Sequence, residues 1–327
     1  MADHVRIGVL GAARIVPAAL VRPGRSVASV EVAAVAARDV GRAQHFADRH
    51  GIPRVHGSYE ELLDDPNVDA VYVPLPNGLH GRWTSAALAA GKHVLCEKPF
   101  AANADEAAEV AAAAKSSGLV VMEAFHYRYH PLASRLAEVV AELGELRHVE
   151  ARMCFPLPRF GDIRYSLELA GGALMDAGCY SVNAVRYLGG AEPEVKSARA
   201  LLKGDGVDRA MRAELKFPAG HTGTVVTSMW SRSLLRLSAK VLGANGELRV
   251  FNPFAPQFGH RLVVEVNGHH RVERFDRRPS YEYQLEAFAD AVLHGKPFPT
   301  TADDAVATMR VVDEIYRAAG LPVRQPS

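Results

Sequence analysis

Val5-Arg6-Ile7-Gly8-Val9-Leu10-Gly11-Ala12-Ala13-Arg14-Ile15-Val16 decides the fold of this chain. Val5 to Leu10 reads as a buried strand, and Ile15 to about Val21 as the helix that follows it. A glycine-bearing turn joins the two. In a dinucleotide fold the first glycine of this turn permits the sharp bend, and the second lets the backbone approach a pyrophosphate. The third lets helix and strand pack closely, while the helix N-terminus stabilises the phosphate charge. Here Gly11 keeps register and Ala13 and Val16 take the second and third positions. The pattern alone also describes a glycine turn of no function. Its place at the first strand–helix junction favours the cofactor reading.

Working outward, strand and helix signals alternate through the first third. Val30 to Ala36, Ala70 to Val73, Lys92 to Cys96 and Leu119 to Phe125 read as strands. Gly41 to His50, Tyr59 to Leu63, Gly81 to Ala90 and Asn103 to Ser116 read as helices, the last opened by Asn103 and closed by Gly118. Such alternation predicts right-handed crossovers and a parallel sheet. After Phe125 and a helix from Leu132 to Leu143 the pattern changes to longer alternating segments: 147–155, 195–203, 209–217, 223–229, 237–242, 247–251 and 261–266. Their turns carry Gly or Pro, and His269-His270 falls in an expected hairpin turn. A helix across Gly171 to Leu188 interrupts them, and Tyr281 to Leu293 and Ala302 to Ala319 are helical. The expected fold class is α/β: a Rossmann domain over residues 1–125, then an α+β domain with an open, mainly antiparallel sheet over 126–327. The last helix is expected to pack on the first domain.

Composition excludes several classes. The chain has 327 residues, 48% apolar and 23% charged, with a net charge of +1, so nothing electrostatic argues for nucleic acid or a membrane surface. Cys96, Cys154 and Cys179 show no paired metal spacing and form no disulfide framework. No signal-peptide core and no apolar run of about 18 residues is present, so a cytoplasmic protein is the expectation.

Three further stretches carry chemistry. An NAD site usually places an acid at the end of the second strand to bond the ribose 2′-hydroxyl. This chain has Ala36-Ala37-Arg38-Asp39, with Arg42 one turn on. Guanidinium forks suit a 2′-phosphate, so NADP is favoured, while Asp39 keeps NAD open and the arginines can also be solvated helix-start charges. Pro74-Leu75-Pro76-Asn77-Gly78-Leu79-His80 forces an extended turn after the next strand; Asn77 suits a helix cap, and His80 is either a cofactor contact or a packed histidine. Glu97-Lys98-Pro99 ends another strand with a cation where parallel sheets bind ligands. Lys98 is therefore either a proton-transfer partner or an exposed strand-end charge.

These residues resemble the Gfo/Idh/MocA oxidoreductases, and the likeness covers nearly the whole chain. It extends to Glu123-Ala124-Phe125, Arg128-Tyr129-His130-Pro131 and Gly171-Gly172-Ala173-Leu174-Met175-Asp176-Ala177-Gly178-Cys179-Tyr180. Tyr180 stands where many members have histidine, which is similar to the glucose–fructose oxidoreductase and dimeric dihydrodiol dehydrogenase subgroup. The resemblance implies hydride transfer between nicotinamide and a secondary alcohol or ketone of a sugar, cyclic polyol or dihydrodiol. Asp176 and Tyr180, four apart, share a face if helical. A tyrosine's ordinary pKa of about 10 is too high for easy proton exchange near neutrality, and a nearby lysine ammonium lowers it.

The implied catalytic set is Lys98, Tyr180 and Asp176, with the proton carrier open between Lys98 and Tyr180. The implied cofactor contacts are Gly11, Ala13, Arg14, Ile15, Arg38, Arg42, Leu75, Asn77, His80, Glu97 and Lys98. His126 and Arg164 are substrate-side candidates, each with an equally plain structural reading. No metal site is expected. Family members pair through the second sheet, so a homodimer or homotetramer is expected. The alternatives are an NAD-dependent aldose or dihydrodiol dehydrogenase, and a cofactor-binding regulator without chemistry.

Overall fold

The computed structural model describes residues 4–327 except Asp205 and Ser233. The chain divides into two compact units: one runs to His126 and takes in Pro279–Val306, and the other is Tyr127–Arg278 with Ala307–Ser327.

The first unit is built on six parallel strands: β1 (Val5–Leu10), β2 (Val30–Ala36), β3 (Arg54–His56), β4 (Ala70–Val73), β5 (His93–Cys96) and β6 (Val121–Glu123). Their order is β3-β2-β1-β4-β5-β6, the doubly wound arrangement whose reversal point lies beside β1. The inner strands are almost continuous runs of Val, Ile, Leu and Ala because helices cover both faces, and Ile7, Val9, Val35, Val71 and Leu95 are fully buried. The short edge strand β3 has no sequence signal of its own, since three residues carry too little periodicity to announce it.

The helix Ala104–Ser117 starts and stops as its sequence dictates. Asn103 accepts from Glu106 N at 2.9 Å, Glu106 accepts in return from Ala102 N at 2.7 Å, and Gly118 closes the helix at φ 67°. Near the other end of the chain it is the penultimate helix, Ser280–His294, that packs on β1 and β2. Of the last helix, Ala302–Ala318, only the part through Val306 belongs to this unit.

Among the described residues the second unit holds eight strands: β7 (Leu146–Cys154), β8 (Glu194–Lys203), β9 (Val207–Lys216), β10 (Thr222–Ser228), β11 (Arg236–Gly243), β12 (Gly246–Phe251), β13 (Arg261–Val266) and β14 (His269–Glu273). Their order is β14-β13-β12-β11-β7-β10-β9-β8, antiparallel except where β7 meets β10. One face is packed: Ala151 pairs with Val225 and Ala239, and these small side chains let the helix Cys179–Gly189 lie against β7 and β10. The other face carries ion pairs along and across strands, such as Arg152–Glu150 at 2.6 Å and Lys240–Glu247 at 2.8 Å.

Three local expectations need correction. His269-His270 do not form the turn; they open β14, because Asn267 and Gly268 both take positive φ (51° and 78°) and complete the reversal alone. Asn77 does not cap a helix: Asn77–Leu79 is a 3₁₀ turn, and the helix His80–Ala89 starts without a side-chain cap. The helix expected from Gly171 begins at Leu174 with a π turn, Leu174–Gly178, before the α-helix Cys179–Gly189.

Replacing Asn103 by Ala removes an N-cap acceptor, so urea unfolding should show stability lower by about 1 kcal/mol.

Candidate active site

The turn after β1 is shaped by its neighbours. Gly11 holds φ 108°, and a Cβ there would stand 3.1 Å from Leu75 Cδ2 and 3.5 Å from the Tyr59 hydroxyl. No L-residue adopts that backbone without strain, and the space is already taken. Gly11 N donates to Ala36 O at 2.7 Å, and Arg42 Nη2 donates to Ala12 O at 2.9 Å, so the turn is tied to β2 and to the helix Val40–His50. Ile15 and Arg14 are exposed beyond it, and Ala13 is half-buried.

The end of β2 is where a ribose-binding acid belongs. Asp39 is committed elsewhere: its carboxylate caps the helix Val40–His50 by accepting from Arg42 N at 2.6 Å. Arg38 is exposed. Tyr59 faces both arginines; burial raises its phenol pKa, and the Arg38 and Arg42 charges oppose that rise. The corner formed by Arg38, Arg42 and Tyr59 is thus cationic and fits a 2′-phosphate better than a bare hydroxyl.

The lysine turn is held by buried polar groups. His80 is 1% exposed, with Nδ1 2.7 Å from Pro99 O and Nε2 2.7 Å from Leu75 O. One imidazole therefore braces the Leu75 turn and the Lys98-Pro99 turn together. Tyr72 donates to Glu97 Oε1 at 2.5 Å, and Phe100 N donates to the fully buried Glu123 at 3.0 Å. Lys98 itself is half-buried. His126 packs on the helix Ser280–His294: its Nδ1 is 2.7 Å from Ser280 Oγ, and its ring centroid is 4.0 Å from that of Tyr281.

The second unit gathers the other half of the expected set. Arg164 Nε lies 2.9 Å from Asp176 Oδ1 and its Nη1 3.1 Å from Asp162, so Asp176 carries a guanidinium partner and raises the Arg164 pKa. Tyr180 is 6% exposed, its ring centroid 5.9 Å from Tyr127 and 5.6 Å from Phe254. Tyr127 donates to Asn183 at 2.6 Å, one turn further along the helix that bears Tyr180. The π turn beneath Asp176 is the irregularity often found at functional sites. The structure thus joins Arg164 to Asp176 and sets Tyr180 among aromatic rings; Lys98 belongs to the other unit.

Sequence reading missed Tyr59, Tyr127 and Phe254. Nothing distinguishes them in sequence from core aromatics, since only the fold carries them to these places.

The family model for oxidoreductases with an NAD-binding Rossmann fold matches residues 5–125, and the Gfo/Idh/MocA C-terminal domain model matches residues 134–249. The chain belongs to the Gfo/Idh/MocA oxidoreductase family. As a member it is an enzyme, which sets aside the non-catalytic regulator. It is 40% identical over 314 residues to D-xylose 1-dehydrogenase (NADP(+)) 2 of Haloferax volcanii, covering 95% of this chain and 96% of that one. It is 40% identical over 315 residues to trans-1,2-dihydrobenzene-1,2-diol dehydrogenase of Macaca fascicularis, covering 90% of each. KijD10, a 3-ketoreductase from Actinomadura kijaniata in complex with NADP and TDP-benzene, superposes with a TM-score of 0.89 at 31% identity, over 97% of this chain and 98% of that one.

The His80 brace has a pH consequence. A neutral imidazole donates from one nitrogen only, so one of its two carbonyl contacts goes unpaired. A second proton would mend that contact but charge a fully buried group, and burial prevails, pushing the pKa down to about 4. The unfolded chain, with the ordinary value of about 6.5, then binds more protons than the fold between the two values. The His80 contribution is complete above about 6.5 and is lost as pH falls toward 4. Urea titrations from pH 7 to 4.5 should show stability falling with acid, less steeply in His80→Gln.

Proposed function

We propose that this enzyme is an NADP-dependent dehydrogenase of an aldopyranose, with D-xylose as its model substrate. The observation that carries the cofactor choice is the committed Asp39: the acid nearest the end of β2 caps a helix while Arg38 stands exposed and Arg42 faces Tyr59. Arg38 and Arg42 hold the 2′-phosphate, and Gly11, Ala13, Arg14 and Ile15 line the pyrophosphate turn. Leu75, Asn77, Glu97 and Lys98 line the nicotinamide side, with His80 as their brace. When bound, NADP supplies the hydride acceptor.

The chain's own residues handle the proton. Tyr180 takes the hydroxyl proton of the substrate, while Lys98 bonds the substrate oxygen or the ribose and favours the phenolate. Asp176, oriented by Arg164, accepts a neighbouring sugar hydroxyl. His126 and Arg164 act on the substrate side. The likeness to D-xylose 1-dehydrogenase supports the substrate class. A trans-dihydrodiol is the second reading, supported by the Tyr127–Tyr180–Phe254 ring cluster and the equal identity to a diol dehydrogenase. The domain boundary near residue 125 separates cofactor work from substrate work. The outer sheet face, with Leu201, Phe251 and Val272 exposed, pairs with a second copy in the cytoplasm.

Two measurements test this. In titrations monitored by nucleotide fluorescence, Arg38→Ala should weaken NADP binding by about 10- to 100-fold and leave NAD binding unchanged, the loss of a charge-assisted phosphate contact. In steady-state assays over a panel of aldoses and trans-dihydrodiols, Tyr180→Phe should lower kcat by at least about 100-fold. Wild-type rates in Tyr180→Phe, or stronger binding of NAD than of NADP, would contradict the reading.

A further inference from the structure

The last residues of the chain return to the start of the segment that carries Asp176 and Tyr180. Arg324 is 1% exposed, and its guanidinium makes a four-point junction. Nε donates to Gly171 O at 2.8 Å, Nη2 to Asp208 Oδ1 at 2.8 Å and Gly206 O at 3.1 Å, and Nη1 to Pro322 O at 3.3 Å. The guanidinium also lies 4.3 Å from the centroid of the Tyr316 ring. Both side chains of the Arg324–Asp208 pair are wholly shielded from solvent.

Asp208 passes this junction to the helix. Its Oδ1 accepts from the Tyr316 hydroxyl at 2.9 Å, and its Oδ2 accepts from Leu174 N at 2.7 Å. A carboxylate on the first N–H of a helical segment serves as its cap. Burial lifts the Asp208 carboxyl to about 6, and Arg324 is the foremost influence opposing that rise.

Glycine is required at the contact. Gly172 holds φ 139°, and a Cβ there would stand 2.1 Å from Asp208 Oδ1. From the same two glycines the backbone reaches the site residues directly. Gly172 N donates to Arg164 O at 2.9 Å, Asp176 N to Gly172 O at 3.0 Å, and Gly171 N to Ser166 O at 2.8 Å. Farther along the tail, Ser327 Oγ donates to Glu168 O at 2.5 Å.

We infer that Arg324 is a positioning residue for the reaction: through Asp208 and Gly171 it fixes where the helical segment begins, and so where Arg164, Asp176 and Tyr180 are held. The inference rests on the roles given to Tyr180 and Asp176 above. Tyr180 lies roughly 9 Å along the segment from Leu174, so a tilt of about 10° at the anchor shifts its ring by roughly 1.5 Å. A misplacement of about 1 Å can cost about 100-fold in rate. A buried ion pair is a weak source of net stability compared with apolar packing, whereas its direction is fixed by the planar guanidinium fork. Lysine keeps the charge and cannot reproduce that fork.

The test compares Arg324→Lys, Arg324→Gln and Arg324→Ala with Tyr180→Phe, using the panel substrate with the highest wild-type turnover. Arg324→Lys should stay folded by circular dichroism and bind NADP within about twofold of wild type. Its KM should move little while kcat falls about 10- to 100-fold. Arg324→Gln should lose more. Guanidinium ion should restore part of the kcat of Arg324→Ala and none of that of Tyr180→Phe. Wild-type kcat in Arg324→Lys, a loss confined to the thermal midpoint, or unfolding of both Lys and Gln variants would overturn the inference. Full activity in Tyr180→Phe would instead remove the reading on which it rests, whatever the Arg324 variants do.

Discussion

Parallel strands end on a common edge, and the first unit follows from that constraint. The turns after β1, β2, β4 and β5 must emerge side by side, so Gly11, Arg38, Leu75 and Lys98 become neighbours although they are far apart in the chain. Their contacts are specific. Leu75 Cδ2 crowds the place that a Cβ on Gly11 would take, and His80 sets one ring nitrogen 2.7 Å from each of the Leu75 and Pro99 carbonyls. The Gly11, Leu75 and Pro99 turns are thus packed against one another along this edge.

Polar groups inside each unit do the aligning. In the first unit, Glu123 takes the N–H that follows the Lys98-Pro99 turn, and Asp39 caps the helix next to the cationic corner. In the second, Arg164 holds Asp176, and Arg324 with Asp208 holds the glycines from which that segment begins. Glu123, Asp176, Asp208 and Arg324 are turned inward, where an unpaired group is costly and a paired one has a single good geometry, while Asp39 acts at the surface.

The strands were the most legible part of the fold. Runs such as Val5–Leu10 and Val30–Ala36 stand out because most of their positions are apolar and buried on both faces of the sheet. The helix Ala104–Ser117 was equally plain, because Asn103 and Gly118 act locally. Short or irregular pieces were not legible. Three residues of β3 show no period, and the turn before β14 needed positive φ at Asn267 as well as Gly268. The π turn at Leu174–Gly178 opens on a hydrogen bond from Leu174 N to Asp208, 34 residues ahead in sequence, which no local pattern announces.

For the site, the sequence by itself determined which chemical groups are present: a glycine turn, an arginine-flanked second strand, a lysine before proline, and an Asp–Tyr pair four residues apart. Those are local facts, set by residue type and by what a strand or turn permits. The tertiary structure alone decided what each group faces. His80 became a brace, Asp176 the partner of Arg164, and Arg324 the anchor of a segment more than 140 residues before it. The physical reason is that hydrogen-bond partners are set by distance in space, and burial fixes those partners only after the chain has folded.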